Sequence, residues 1–203
     1  MDSLRRSPRD GGVEGTFQAL GTQCRMLLSG PASTAARALE SAVLWVAGFE
    51  AKYSRFLPTS LVSRINAAAG REPVALDPES EHLFGLCHEL HFLSRGLLDP
   101  TALPLLQLWN WKANPPALPT DAQIEAARSL VGWKQVRRSP GCIFLPRPGM
   151  GLDLGGMGKE YAVDQVTLLL LRSGVPGALV DFGADIRVFG APPDQRLGWH
   201  IGL

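Results

Sequence analysis

The run Asp153-Leu154-Gly155-Gly156-Met157-Gly158-Lys159-Glu160-Tyr161-Ala162-Val163-Asp164 sets a carboxylate, a glycine turn and a lysine at what reads as a strand-to-helix junction. Glycines let a backbone approach a ligand, and a helix start offers free N–H groups and partial positive charge to phosphate oxygens. Lys159, in the first helical turn, would add a full positive charge. The spacing fits neither a Walker A loop nor a G-x-G-x-x-G dinucleotide fingerprint. From the residues alone, an anion site and a plain tight turn both meet this pattern.

Two other clusters stand out. In Ser94-Arg95-Gly96-Leu97-Leu98-Asp99-Pro100-Thr101, the proline biases Asp99 away from the helical region and makes a firm turn. Tyr53-Ser54-Arg55-Phe56, followed by Ser60 and Asn66, is a polar loop carrying aromatic rings that could stack on a planar ligand or pack into a core. His82, His88 and His91 lack the carboxylate pattern of a zinc protease and read as surface or capping residues. Cys24, Cys87 and Cys142 form no C-x-x-C and read as buried or half-buried thiols.

These residues need elements to hold them. Residues 1–14 read as a flexible tail, and residues 16–28 as a strand pair or bent strand broken at Ala19-Leu20-Gly21-Thr22. Apolar positions Leu39, Ala42, Val43, Val46 and Phe49 predict a helix over residues 31–52. Asp77 and Pro78 open a second helix as N-cap and first helical residue. Its expected apolar face is Leu83, Leu86, Cys87, Leu90 and Leu93, and Gly96 is its stop. Asn114-Pro115-Pro116 and Leu118-Pro119 mark a loop, and Thr120-Asp121-Ala122-Gln123 has the form of a capping box. Strands are expected over residues 142–145, 150–154, 178–182, 185–189 and 199–203, with a helix from the glycine turn to about Arg172. Helices and strands alternate without βαβ regularity, which favours a mixed α/β or α+β fold.

Composition excludes several classes. In 203 residues, 45% are hydrophobic and 19% charged, which suits a packed domain. A net charge of +1 gives no basic stripe for nucleic acid. No apolar run follows the N-terminal arginines and none is long enough to span a bilayer, so these residues encode no signal peptide or transmembrane segment and read as a soluble, cytoplasmic-type chain.

Taken together and in order, the clusters resemble the ApbE family of FAD:protein FMN transferases over residues 15–203. The matching pieces are Ala19-Leu20-Gly21-Thr22, Tyr53-Ser54-Arg55-Phe56 with Ser60 and Asn66, and Gly96-Leu97-Leu98-Asp99-Pro100-Thr101 with Leu108-Trp109. Leu130-Val131-Gly132-Trp133, residues 153–164, Val180-Asp181-Phe182-Gly183-Ala184-Asp185 and Trp199-His200-Ile201-Gly202 complete the set. The resemblance implies an α+β, ApbE-like (T-fold-like) architecture lacking its C-terminal part. It implies transfer of the FMN part of FAD to a Thr or Ser hydroxyl of a target flavoprotein, with release of AMP and with Mg²⁺. Leu20, Phe56, Leu97, Leu98, Asp99, Asp153 and Lys159 match cofactor-binding positions, and Gly156 matches a residue whose carbonyl is a Mg²⁺ ligand. Asp153 and Asp181 are the candidates for accepting the hydroxyl proton or orienting the metal's water shell.

Departures from the family pattern sharpen the expectation. Glu160 stands where a glycine is usual, and Ala184 replaces the second glycine of a Gly-Gly-Asp turn. Family members run about half as long again, and their later Asp-Ala-x-x-Thr motif, which completes the metal site, lies outside these residues. Low or absent transferase activity is therefore expected of these 203 residues alone. The alternatives are an FAD pyrophosphatase, giving FMN and AMP, and a non-catalytic flavin-binding remnant. Family members often work outside the cytoplasmic membrane.

Overall fold

The computed structural model describes residues 4–109 and 118–202. Residues 1–3, Asn114-Pro115-Pro116 and Leu203 lie outside the described residues. By its contacts the chain divides into two compact units, residues 1–51 with 157–203 and residues 52–156.

The first unit is built on a five-stranded antiparallel sheet in the order β1-β2-β3-β7-β8. Its strands are β1 (Arg5–Arg9), β2 (Gly12–Ala19), β3 (Thr22–Ser29), β7 (Gly177–Phe182) and β8 (Asp185–Gly190). Alternation along each strand sends every second side chain to one face. The register aligns Phe17, Cys24 and Phe182 in one row, Gly15, Met26 and Val180 in the next, and Val13, Leu28 and Ala178 in the third. All the side chains in this grid are buried.

Helices α1 (Ala32–Tyr53) and α6 (Gly158–Arg172) complete this unit. Leu39 of α1 lies so close to Gly15 that a Cβ there would sit 2.6 Å from its methyl groups, so the glycine permits the approach. Phe49 of α1 stacks on Tyr161 of α6 with ring centroids 5.7 Å apart.

Two expectations fail in this unit. Residues 5–9 and 12–14, expected as tail, are paired strand; Pro8 is tolerated because β1 is the sheet edge. Arg9 and Arg25 both hold the buried Glu14, which ties the edge to the sheet. Residues 199–202 form no strand: the Trp199 indole donates to the Gly190 carbonyl at 2.9 Å, so a side chain makes the contact with β8 that a backbone ladder would have made.

The second unit carries α2 (Leu61–Ala67), β4 (Val74–Ala75), α3 (Pro78–Leu93), α4 (Leu103–Leu106), α5 (Asp121–Arg128), β5 (Arg137–Ser139) and β6 (Cys142–Phe144). Its sheet has the order β4-β6-β5, antiparallel throughout. Asp77 caps α3 by accepting the Ser80 N–H at 2.9 Å, with Pro78 at the first helical position. Lys52 and Ser80 together hold the Asp77 carboxyl down at about 2. Thr120 and Gln123 close the expected capping box on α5.

The inward face of α3 differs from the expected one. It is Ser80, Leu83, Phe84, Cys87 and His91, whereas Leu90 and Leu93 are exposed. Both polar members of this stripe have partners: Ser80 Oγ meets the Tyr53 hydroxyl at 2.9 Å, and His91 Nδ1 meets the Leu98 carbonyl at 3.0 Å. A satisfied polar group is tolerated where an apolar one was expected. Of the three histidines, His82 and His88 are exposed and His91 is buried.

Residues 150–154 are also not a strand. The Asn66 side chain takes the place of a neighbouring strand, donating to the Leu152 carbonyl at 3.0 Å and accepting its N–H at 2.6 Å. Asp153 N–H donates to the Pro100 carbonyl at 2.8 Å, and Gly151 makes a single parallel bridge to Ala102. Among the described residues, no helix is long and apolar enough to cross a membrane.

Candidate functional site

Within the second unit, two of the clusters quoted from the sequence, those at residues 53–66 and 94–101, meet the turn at residues 152–156. Ser60 caps α2 by accepting the Ser63 N–H at 3.0 Å, and this short helix delivers Asn66 to Leu152. From the loop before α2, Arg55 forms an ion pair through Nε with Asp153 Oδ2, both side chains largely covered. The other Asp153 oxygen accepts the Gly155 N–H at 2.5 Å. From the Asp99 corner, Pro100 holds the Asp153 amide.

Asp99 itself is fully engaged. Its Oδ1 accepts from Thr101 N–H at 2.8 Å and from Thr101 Oγ1 at 2.5 Å, while Oδ2 accepts the Trp133 N–H at 3.1 Å. The same Thr101 hydroxyl accepts the Gly132 N–H at 2.7 Å, which brings in the cluster at residues 130–133. Trp133 and Thr101 are buried. The Asp99 carboxylate therefore acts as a structural acceptor joining two backbone segments, at Thr101 and at Trp133.

The remaining expected ligand residues of this unit face outward. Phe56 is 76% exposed and Leu97 93% exposed. Leu98 is half-buried, with its N–H given to Ser94 Oγ at 3.0 Å. Gly155 and Gly156 are both exposed, and a Cβ at Gly156 would meet nothing within 4 Å.

The first unit holds the other candidates. Leu20 and Gly21 both have positive φ, +54° and +72°, the pattern of a type I′ hairpin turn between β2 and β3. Glu50 Oε1 accepts the Leu20 N–H at 2.7 Å, which steadies a non-glycine residue in this region. Gly183 and Ala184 repeat the pattern between β7 and β8, with φ of +67° and +74°. Ala184 occupies the left-handed region at a cost of roughly 1 kcal/mol against glycine, which accounts for the family's glycine there. Asp181 Oδ1 accepts the Ala184 N–H at 2.9 Å.

Lys159 donates to Asp185 Oδ2 at 2.5 Å, and this bond raises its pKa above the ordinary lysine value, so it is cationic at neutral pH. Asp185, which holds the candidate Lys159, was not among the site residues singled out from the sequence. The signal was its position after a hairpin turn, paired with Phe182 in the register and so on the same sheet face. Asp181 is one residue out of phase, in the row of Thr16 and Arg25 on the opposite face. Glu160 is exposed. The first turn of α6 has no side-chain cap, since Met157 makes no capping bond. Burial pushes the Cys24 thiol up to about 12, so it is an inert core group.

A Mg²⁺ ion asks for near-octahedral oxygen donors, commonly one or two carboxylates with water and substrate phosphates. The candidate donor at the turn is the single neutral carbonyl of Gly156, and both Asp153 oxygens are already engaged. Among the described residues, no three His, Cys, Asp or Glu side chains cluster to hold a metal. This donor set does not make a Mg²⁺ site by itself.

The fold is mixed α+β. Its backbone matches the solved flavin transferase ApbE from Vibrio cholerae with a TM-score of 0.85 and 23% identity, over 98% of this chain and 64% of that one. An FAD:protein FMN transferase of Treponema pallidum is 28% identical over 91% of this chain and 55% of its own length. Another, from Vibrio cholerae, is 28% identical over 74% of this chain and 45% of its own. The chain thus spans about half the length of the curated relatives it matches. A sequence model described as the ApbE family matches residues 20–203, and the chain belongs to the ApbE family.

Proposed function

We propose that these residues form the flavin-binding part of an FAD:protein FMN transferase, moving FMN from FAD to a Thr or Ser hydroxyl of a target flavoprotein with release of AMP. The observation that carries this reading is the convergence of Arg55, Asn66, Pro100 and Asp153 on one exposed glycine turn. Such a turn leaves backbone groups open to a ligand, and family relatives bear the transferase name.

In this reading the chain binds and aligns. Lys159, cationic and fixed by Asp185, offers charge to a phosphate oxygen. Phe56 offers a ring face to a planar group, and Leu20, Leu97 and Leu98 supply apolar contact. Asp99 keeps its place in the site as the residue that fixes the corner beside Leu98. Asp153 and Asp181 are both kept as candidates for accepting the hydroxyl proton or orienting the metal's water shell: both Asp153 oxygens are engaged, and Asp181 Oδ1 accepts the Ala184 N–H. Phosphoryl-type transfer asks the protein chiefly for such positioning and electrostatics. Mg²⁺ dependence belongs to the proposal.

The test is to incubate the 203-residue chain with FAD, Mg²⁺ and a peptide carrying a flavinylation-type Thr, then to measure FAD binding by titration and peptide mass directly. FAD binding with little or no gain of FMN mass is the expected result. Rapid gain of that mass would show that these residues hold a complete working site. Release of FMN and AMP with an unchanged peptide would transfer the reading to an FAD pyrophosphatase. A chain that neither binds nor turns over FAD would overturn the flavin reading.

A further inference from the structure

We propose that Arg55 is a positioning residue of the flavin site, fixing both the glycine turn and the Phe56 ring from one guanidinium. Its role extends the flavin reading and rests on it. Arg55 lies in the loop before α2, and nothing in the chain's likeness to flavin transferases assigns it a function.

The geometry is specific. Arg55 Nε pairs with Asp153 Oδ2, 98 positions further along the chain and in the same unit. The guanidinium carbon also lies 4.1 Å from the centroid of the Phe56 ring, well within the reach of a cation–π contact. The Arg55 backbone is anchored too, since Ser63 Oγ of α2 donates to its carbonyl at 3.2 Å. The Arg55 side chain is 27% exposed and the Asp153 side chain 12%.

Each contact has a consequence. With Arg55 on Oδ2, the carboxylate is turned so that Oδ1 receives the Gly155 N–H, which closes the turn and leaves Gly156 open beside it. With Arg55 behind it, the Phe56 ring is held at the surface instead of folding into the core, and most of its area stays free. An exposed phenyl ring with a cation against it is a platform on which a planar aromatic ring can stack, and FAD carries two planar ring systems. Arginine is the side chain suited to both contacts, because its planar fork can pair edge-on with a carboxylate while its face stacks on an aromatic. A lysine at this position would keep the charge and lose the plane.

The test compares wild type, Arg55→Lys and Arg55→Ala by FAD titration, thermal melting and amide hydrogen exchange without ligand. Arg55→Ala is expected to weaken FAD affinity about tenfold and to speed exchange of the Gly155 amide by about as much, with Arg55→Lys intermediate in both. The Ala substitution is also made in a Phe56→Ala, Asp153→Asn background, where less than a twofold further loss of affinity is expected because its partners are already gone. Equal losses in both backgrounds, or wild-type FAD affinity and Gly155 exchange in Arg55→Ala, would overturn the proposal. If wild type fails to bind FAD yet Gly155 exchange still depends on Arg55, the turn-fixing half stands and the flavin reading falls. If Arg55→Ala does not fold, the Lys variant decides: full wild-type affinity and exchange would refute a role for the planar group.

Discussion

The two aspartate corners of the second unit are built on opposite terms. At Asp99 the carboxylate is used up inside the protein, joining Thr101 and Trp133 around a buried hydroxyl. At Asp153 the carboxylate is also engaged, but the backbone it shapes is exposed, and Gly156 has empty space in front of it. A carboxylate that closes a buried corner serves stability. One that braces an open turn serves a ligand, because its stabilising bonds sit beside groups still free to bind. In sequence both look alike: an aspartate within two positions of a proline or a glycine.

The sharpest way to break this contrast is Asp99→Ala. Three hydrogen bonds to a charged acceptor vanish and the Trp133 and Thr101 amides lose their partner. Hydrogen bonds to charged groups contribute roughly 1.5–3 kcal/mol each, so a net loss of about 3–5 kcal/mol is expected after partial rearrangement. At about 2–4 °C per kcal/mol for a chain of this size, melting should fall by about 10 °C or more. Asp99→Asn, which keeps an acceptor, should lose roughly half as much. A variant melting within about 2 °C of wild type would mean that the corner is not structural, and the distinction between the two aspartates would collapse.

A smaller effect is expected on the open side. A Cβ at Gly155 would lie 2.8 Å from Asp153 Oδ1, so Gly155→Ala must push that carboxylate and disturb its bond to Arg55. What the Cβ meets is a side-chain oxygen and not backbone, so the stability cost should stay at about 1 kcal/mol. FAD affinity should fall several-fold, a larger relative change than in the melt. Titration beside calorimetry checks it: a loss of stability as large as that of Asp99→Ala with affinity unchanged would invert the assignment of the two corners.

How much of this was legible in the sequence follows from the range of the forces. The long helix α1, the Asp77-Pro78 start of α3 and the Thr120 capping box rest on neighbours within a few positions, and the sequence shows them. The clusters around Asp99 and Asp153 were visible as clusters. Their joining was not, because Arg55 with Asp153 and Asn66 with Leu152 are contacts between distant positions. The same reason hides the error at residues 150–154: the apolar pattern is strand-like, but a side-chain amide supplies what a strand would have. On α3, Ser80 and His91 broke the apolar stripe although each has a hydrogen-bond partner. Asp185 escaped notice because its partner Lys159 comes from α6, 26 positions earlier.

The smallest effect is the most telling about the open turn. Gly156 has no positive φ and a Cβ there would meet nothing, so Gly156→Ala should fold as well as wild type, within about 0.5 kcal/mol, or slightly better through a less flexible unfolded chain. What the site is expected to use at this position is the backbone carbonyl, which alanine retains. FAD affinity should therefore stay within about twofold of wild type, a difference of roughly 0.4 kcal/mol. A large loss with the melt unchanged would mean that the bound ligand fills the volume a methyl group would take. The space before Gly156 would then be the ligand's own contact surface, and the contrast with the Asp99 corner would rest on shape as well as on backbone exposure.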